Sequence, residues 1–259
     1  MKTKAFFKVI REIHNFPTYF ADYFKFINRK FVTYNFMNGL KITLRAGTTD
    51  RMIVNEVFMY EDYNPSWLRI KPDFTIVDVG GHIGVFTCYS AKKAYKGKVF
   101  VFEPLKENFE ILKKNISQNN FHNVKIYNSA LSNKNGKDIL FVSDSDNKGS
   151  NSFYIKKGNS EKLSVNKISL KDFIKNEKLK EIDLLKLDCE GGEYDILFKA
   201  GKNIKKIKAI TMEYHNIDKE RTGDKIKSFL EKEGFMVKIK KLSSKRGMLY
   251  ALSKKDNQK

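Results

Sequence analysis

An apolar, β-rich run, Phe74-Thr-Ile-Val-Asp-Val-Gly-Gly-His-Ile-Gly84, ends in a carboxylate and opens into a glycine turn. A second apolar run, Val99-Phe-Val-Phe-Glu-Pro104, also ends in an acid. With a helix between them, the two runs form a βαβ unit, in which glycine lets backbone approach a ligand and the second-strand acid holds ribose hydroxyls. The glycines fall at Gly80, Gly81 and Gly84, which does not fit the Gly-x-Gly-x-x-Gly of a dinucleotide site. Asp78, just before the turn, would also repel a pyrophosphate. A cofactor without phosphates and with a cationic head suits the turn better, and S-adenosylmethionine is such a cofactor. The helix after the turn then offers N–H groups to its methionine carboxylate. Asp78 takes the ammonium, and Glu103, 23 residues past Gly80, takes the ribose, with Pro104 fixing the turn behind it.

The alternation continues down the chain. Strands are expected at 74–79, 98–103, 124–128, 183–188 and 208–213, with helices at about 84–94, 106–119, 192–199 and 222–233. Phe235–Ile239 and Met248–Leu252 read as a closing hairpin. Such βα repetition predicts an α/β fold with a mostly parallel sheet covered by helices on both faces. Upstream, Leu40–Leu44 alternates as a strand, and Asp50 reads as the N-cap of a helix carrying Met52, Ile53, Val57 and Phe58. The polar stretch 132–169, with Ser143–Ser152 inside it, reads as an insertion or lid over the acceptor.

Two further strand ends bring chemistry to the same crevice, since ligands of open α/β sheets bind at the carboxyl ends of strands. The run Ile182-Asp-Leu-Leu-Lys-Leu-Asp-Cys-Glu-Gly-Gly-Glu-Tyr194 delivers Asp188 and Glu190, with Glu193 placed to stabilise the next helix N-terminus. Ala209-Ile-Thr-Met-Glu-Tyr-His-Asn216 delivers Glu213 and His215. Methyl transfer to a hydroxyl needs a proton acceptor, for which imidazole is suited; Asp188 or Glu213 is able to do the same work. The same three side chains also suit a divalent metal, but they lack tight ligand spacing and no metal is assigned.

Together these segments resemble the FkbM family of S-adenosylmethionine-dependent methyltransferases, over roughly residues 39 to 240. The similarity rests on Asp50 through Val57-Phe58, Val77–Gly84, Phe102-Glu-Pro104, Asn128–Leu131, Asp188–Glu193 and Glu213-Tyr-His215. His82 stands where Asn is usual, and Cys189 where Val or Ile is usual. The resemblance implies a Rossmann-like class I fold, with seven strands and an antiparallel last strand. It also implies transfer of methyl to oxygen on sugars or small metabolites, and a place beside the adenine for Ser129 and Ala130. The expected organisation is an N-terminal helical extension at 1–38 followed by a methyltransferase domain at 39–259.

The net charge of +20 raises an RNA methyltransferase as the alternative. Only seven of the 50 basic residues are Arg, the Lys are dispersed, and no Asn/Asp-Pro-Pro-Tyr/Phe motif is present, so nucleic acid is not the expected partner. A non-catalytic domain binding a nucleoside or a membrane surface is the third reading. It draws on residues 1–30, where Phe6, Phe7, Phe20 and Phe24 alternate with basic residues around Pro17. That segment packs on the domain, on a second subunit of a homo-oligomer, or on an anionic membrane. Cys88 and Cys189 show neither disulfide framework nor metal spacing, which fits a reducing, cytoplasmic setting.

Overall fold

A computed structural model describes residues 3–142 and 161–255. The Ser-rich segment 143–152, read above as part of a lid, lies outside the described residues. Two helices open the chain, α1 (Thr3–Glu12) and α2 (Phe16–Tyr23), the second with Pro17 in its first turn, where the missing N–H costs nothing. An antiparallel hairpin of β1 (Phe31–Asn35) and β2 (Lys41–Arg45) follows. Then come α3 (Asp50–Val54) and, continuous with it, a π-helical turn over Asn55–Met59.

The central sheet alternates with helices as the patterning predicts. Its first half comprises β3 (Thr75–Val79), α4 (Val85–Lys93), β4 (Lys98–Phe102), α5 (Lys106–Gln118) and β5 (Val124–Tyr127). Between the halves, β6 (Ala130–Ser132), β7 (Gly136–Val142) and β8 (Glu161–Ser169) form a separate three-stranded sheet. After α6 (Leu170–Asn176) the second half brings β9 (Leu184–Leu187), α7 (Glu193–Phe198), β10 (Ala209–His215), α8 (Gly223–Lys232), β11 (Phe235–Lys241) and β12 (Arg246–Ser253).

The seven-stranded order is β11-β12-β10-β9-β3-β4-β5. Every neighbouring pair from β10 to β5 is parallel, and β12 runs antiparallel to both β10 and β11. This is the mostly parallel sheet with an antiparallel last strand that the class I resemblance implies. The order reverses between β3 and β9, so a crevice opens where their carboxyl ends diverge.

The stretch 132–169, expected as an insertion or lid, has structured flanks: β7 and β8 pair in register from Gly136↔Lys167 to Val142↔Glu161, and Leu140, Val142 and Val165 bury a small core beneath them. Alternation inside a polar composition is a weak signal, because one face of such a hairpin stays wet. The boundary at 38/39 falls inside the β1–β2 hairpin, whose ladder runs from Phe31↔Arg45 to Asn35↔Lys41. Val9, Ile13, Tyr19 and Tyr34 are fully buried in the same core as Ile42, Leu44, Val54, Ile83 and Leu112. The N-terminal helices therefore close one face of the domain, while Phe7, Phe24 and Phe26 stay exposed on their outer side.

Candidate active site

The glycine turn is shaped first by its neighbours. Gly80 has φ +77°, and a Cβ there would lie 1.8 Å from the Asp188 carbonyl oxygen; at Gly81 it would lie 2.2 Å from Val101. Close approach of β9 and β4 therefore demands both glycines. Their N–H groups both donate to the Phe102 carbonyl at 3.0 Å, which ties the turn to β4. At the end of β4, Glu103 accepts from the His82 N–H and the Leu105 N–H, each at 2.8 Å. Burial pushes the Glu103 carboxyl up to about 7, against the pull of those two donors. The Asn108 side chain also bonds to this carboxylate, whose oxygens together offer about four acceptor sites.

Asp78 has a different task from the one expected. It is fully buried, sits 3.0 Å from Lys186 Nζ, and accepts from Thr87 Oγ1 at 2.6 Å, so the ammonium it holds belongs to this chain. Lys186 Nζ also donates to the Gly80 carbonyl at 2.8 Å and lies over the Tyr63 and Phe86 rings. Burial disfavours that ammonium, but the Asp78 and Asp188 charges outweigh it and hold Lys186 above the usual lysine range.

One cavity of about 870 Å³ runs along the carboxyl ends of the strands. Gly80, Gly81, His82, Glu103, Pro104, Ala130 and Asp188 line it, and so do Glu213 and His215. Asp78, Gly84 and Ser129 do not: Gly84 packs against Leu112, and Ser129 is buried with an unpartnered Oγ. His82 adopts φ +51° and places Nε2 3.4 Å from Arg45 Nη2 and 3.8 Å from Asp50 Oδ1. Burial drives its imidazole down to about 4, so it is neutral. Asp50 is not a helix cap; both of its oxygens pair with Arg45 at 2.9 Å, behind His82.

At the far wall, one ligand-type atom from each of Asp188, Glu213 and His215 lies within 4.8 Å of the others. Tyr63 donates to Asp188 Oδ2 at 2.8 Å, and Arg246 Nη1 to Glu213 Oε1 at 2.7 Å. His215 Nδ1 lies 3.3 Å from Oε1 of the fully buried Glu193. Burial lowers the His215 pKa, but the Glu193 hydrogen bond and the Glu193, Glu190 and Asp188 charges prevail and push it up to about 10. A pKa this high favours the protonated imidazole at neutral pH. Burial and the Asp188 charge push Glu213 up to about 7. Glu56, on the π-helical turn, also lines the cavity; burial with the Asp188 and Glu213 charges pushes it up to about 8.

Sequence reasoning missed Glu56, Tyr63, Lys186 and Arg246. Lys186 alone carried a signal, as a cation inside the buried strand Leu184–Leu187 that requires a buried anion. Glu56 gave none, because a π-turn has no periodicity to read, although such turns recur at functional sites.

A glycine turn, a second-strand acid and acidic groups at the next two strand ends, all on one crevice of this sheet order, define a class I methyltransferase domain. The sequence signature of the methyltransferase FkbM domain matches residues 78–237, and the chain belongs to that family of S-adenosylmethionine-dependent methyltransferases. It is 28% identical to Methyltransferase 1 of Beauveria bassiana over 163 residues, which are 56% of this chain and 65% of that protein. It is 26% identical to Methyltransferase sdnD of Sordaria araneosa over 176 residues, 57% of this chain and 67% of that one. The matches thus span only about two thirds of these relatives' length. The fold resembles that of the methyltransferase FkbM from Methylobacillus flagellatus KT, with TM-score 0.50 and 15% identity over 72% of this chain and 45% of the other. No helix among the described residues is long and apolar enough to cross a membrane.

Proposed function

We propose that the protein transfers the methyl group of S-adenosylmethionine to a hydroxyl of a sugar or other small molecule. The observation that carries this reading is that a single cavity joins the glycine turn and Glu103 to a cluster of carboxylates at Asp188, Glu213 and Glu56. The first half suits a nucleoside, and the negative second half suits a sulfonium and a hydroxyl that must lose its proton. Glu103 and Ala130 line the same part of the cavity, where the Glu103 carboxylate would hold the ribose hydroxyls and Ala130 would lie beside the base.

Because the methyl is already activated, alignment of acceptor oxygen, methyl carbon and sulfur does most of the work. Glu56 receives the hydroxyl proton. It faces the cavity and ionises near 8, so its carboxylate is the minor form at neutral pH and accepts the proton increasingly as pH rises toward 8.

The test is transfer of labelled methyl to a panel of sugars, nucleotide sugars, phenols and total RNA. The expected product is a methyl ether on a small acceptor. Glu56→Gln is expected to lower turnover on that acceptor by about 10²–10⁴-fold while leaving S-adenosylhomocysteine affinity nearly unchanged. Label that enters only RNA would overturn the reading.

A further inference from the structure

Five carboxylates, Glu56, Asp188, Glu190, Glu193 and Glu213, converge on the far end of the cavity or directly behind it. Of the cations that line the same cavity, Lys186 is engaged by Asp78, Lys167 by Asp138 and Arg246 by Glu213, and His215 lies against Glu190 and Glu193; Lys134 and Lys245 line it as well. Within this group Asp188, Glu213 and His215 differ from a surface acidic patch. They leave the ends of two adjacent parallel strands, β9 and β10, and they face one cavity.

Each of the three is also held from behind. Tyr63 donates to Asp188 Oδ2, which leaves Oδ1 for the cavity. Arg246 fixes Glu213 through Oε1. Glu193, fully buried, binds His215 through Nδ1, so the nitrogen turned toward Glu213 and Glu190 is Nε2, at 4.0 and 3.8 Å. A carboxylate behind one imidazole nitrogen, orienting the other, is how ligating histidines are commonly prepared for a metal. A second observation points the same way. Glu193 Oε2 is buried with no hydrogen-bond partner, which leaves negative charge behind the imidazole that a proton on Nδ1 only partly answers.

We infer that Asp188, Glu213 and His215 form a binding site for a divalent cation, one that holds the acceptor hydroxyl beside the cofactor. Two carboxylates and one imidazole suit a cation of intermediate hardness such as Mn²⁺ better than Mg²⁺, which prefers oxygen ligands and retains its waters. Three protein ligands leave open positions for the acceptor oxygen. On binding, the cation replaces the proton at His215 Nε2, which passes to solvent, while Nδ1–H stays on Glu193. This site deepens the methyltransferase reading and rests on it for its purpose, but its existence is separable.

The test uses the full chain freed of metal by EDTA and titrated with Mn²⁺, free ion being followed by electron paramagnetic resonance. One Mn²⁺ per chain is expected, with imidazole-nitrogen coupling in the spin-echo signal. His215→Ala should abolish that coupling and weaken uptake at least about tenfold. Glu193→Gln, which touches no cation, should weaken it about 10–100-fold. Glu110→Gln, on the exposed face of α5, should change nothing. Should His215→Ala fail to fold, Glu213→Gln provides the second ligand variant. Absence of one-to-one uptake by folded wild type, or uptake without nitrogen coupling that no variant alters, would overturn the site. S-adenosylhomocysteine is titrated into the same metal-free sample. Its binding without Mn²⁺ uptake removes the metal site alone. Mn²⁺ uptake without it upholds the site and removes the methyltransferase reading.

Discussion

Asp50 is fully buried and gives both carboxylate oxygens to Arg45, which in turn donates to Asn108 on α5. The network links β2, α3 and α5 directly behind His82. Replacing Asp50 with Ala would leave the buried guanidinium without its counter-charge, a loss of about 3–5 kcal/mol. Urea denaturation of Asp50→Ala should show that loss, and a change below about 1 kcal/mol would mean that Arg45 finds another anion among its neighbours, such as Glu107 at 3.4 Å. At this scale the sequence was read unevenly. Glu103 is where its strand pattern placed it, because an acid ending a buried apolar run has few places to go. Asp78 was just as visible as a residue, but not its partner: Lys186 lies 108 positions away and meets it only because β3 and β9 are neighbours. His215 was visible as a strand-end imidazole, yet its charge is set by Glu190 and Glu193 on the loop and helix that follow β9.

The elements were legible where period and burial agreed. Val99–Phe102 is fully buried in β4, and buried parallel strands read as continuous apolar runs. Less legible were β1, β7 and β8, each half-exposed, and the turn from α3 into the π-helix, which shifts the face on which Glu56 emerges. The N-terminal helices follow a similar logic. Their aromatic stripe was visible, but not which aromatics go inward; Tyr19 is buried and bonded to Asn55 on the π-turn, whereas Phe24 and Phe26 remain outside. Removing residues 1–38 should therefore strip β1 from β2 and uncover Ile42, Leu44 and Val54. We expect the shortened chain to lose cooperative thermal unfolding and to aggregate. A soluble fragment that melts within a few degrees of the full chain would show instead that the helices are a dispensable extension. Ile13→Ala offers a milder version, with an expected loss of about 2–5 kcal/mol.

Across the whole molecule, a surface carrying +20 encloses a cavity whose far wall is acidic. Several of the groups that line this cavity bind protons more tightly in the fold than in the unfolded chain. Glu103 and Glu213 rise from 4.5 to about 7, Glu56 from 4.5 to about 8, and His215 from 6.5 to about 10. A raised folded pKa stabilises fully below the unfolded value, and that stabilisation is lost as pH climbs through the folded one. All four act together only between about pH 6.5 and 7; Glu56 continues to about 8 and His215 to about 10, while neutral His82, lowered to about 4, makes its full contribution above 6.5. The melting temperature of the ligand-free protein should therefore fall steadily from pH 6.5 to 9. A flat or rising curve would contradict the proton inventory of the cavity.

The central claim is that Glu103 and the glycine turn hold the nucleoside of S-adenosylmethionine, and calorimetric titration of S-adenosylhomocysteine tests it most directly. Wild type should bind in the micromolar range, with NAD inert. Glu103→Ala, which removes two charge-assisted acceptors, should bind at least about tenfold more weakly. Equal binding by the two proteins, or none by well-folded wild type, would contradict the account.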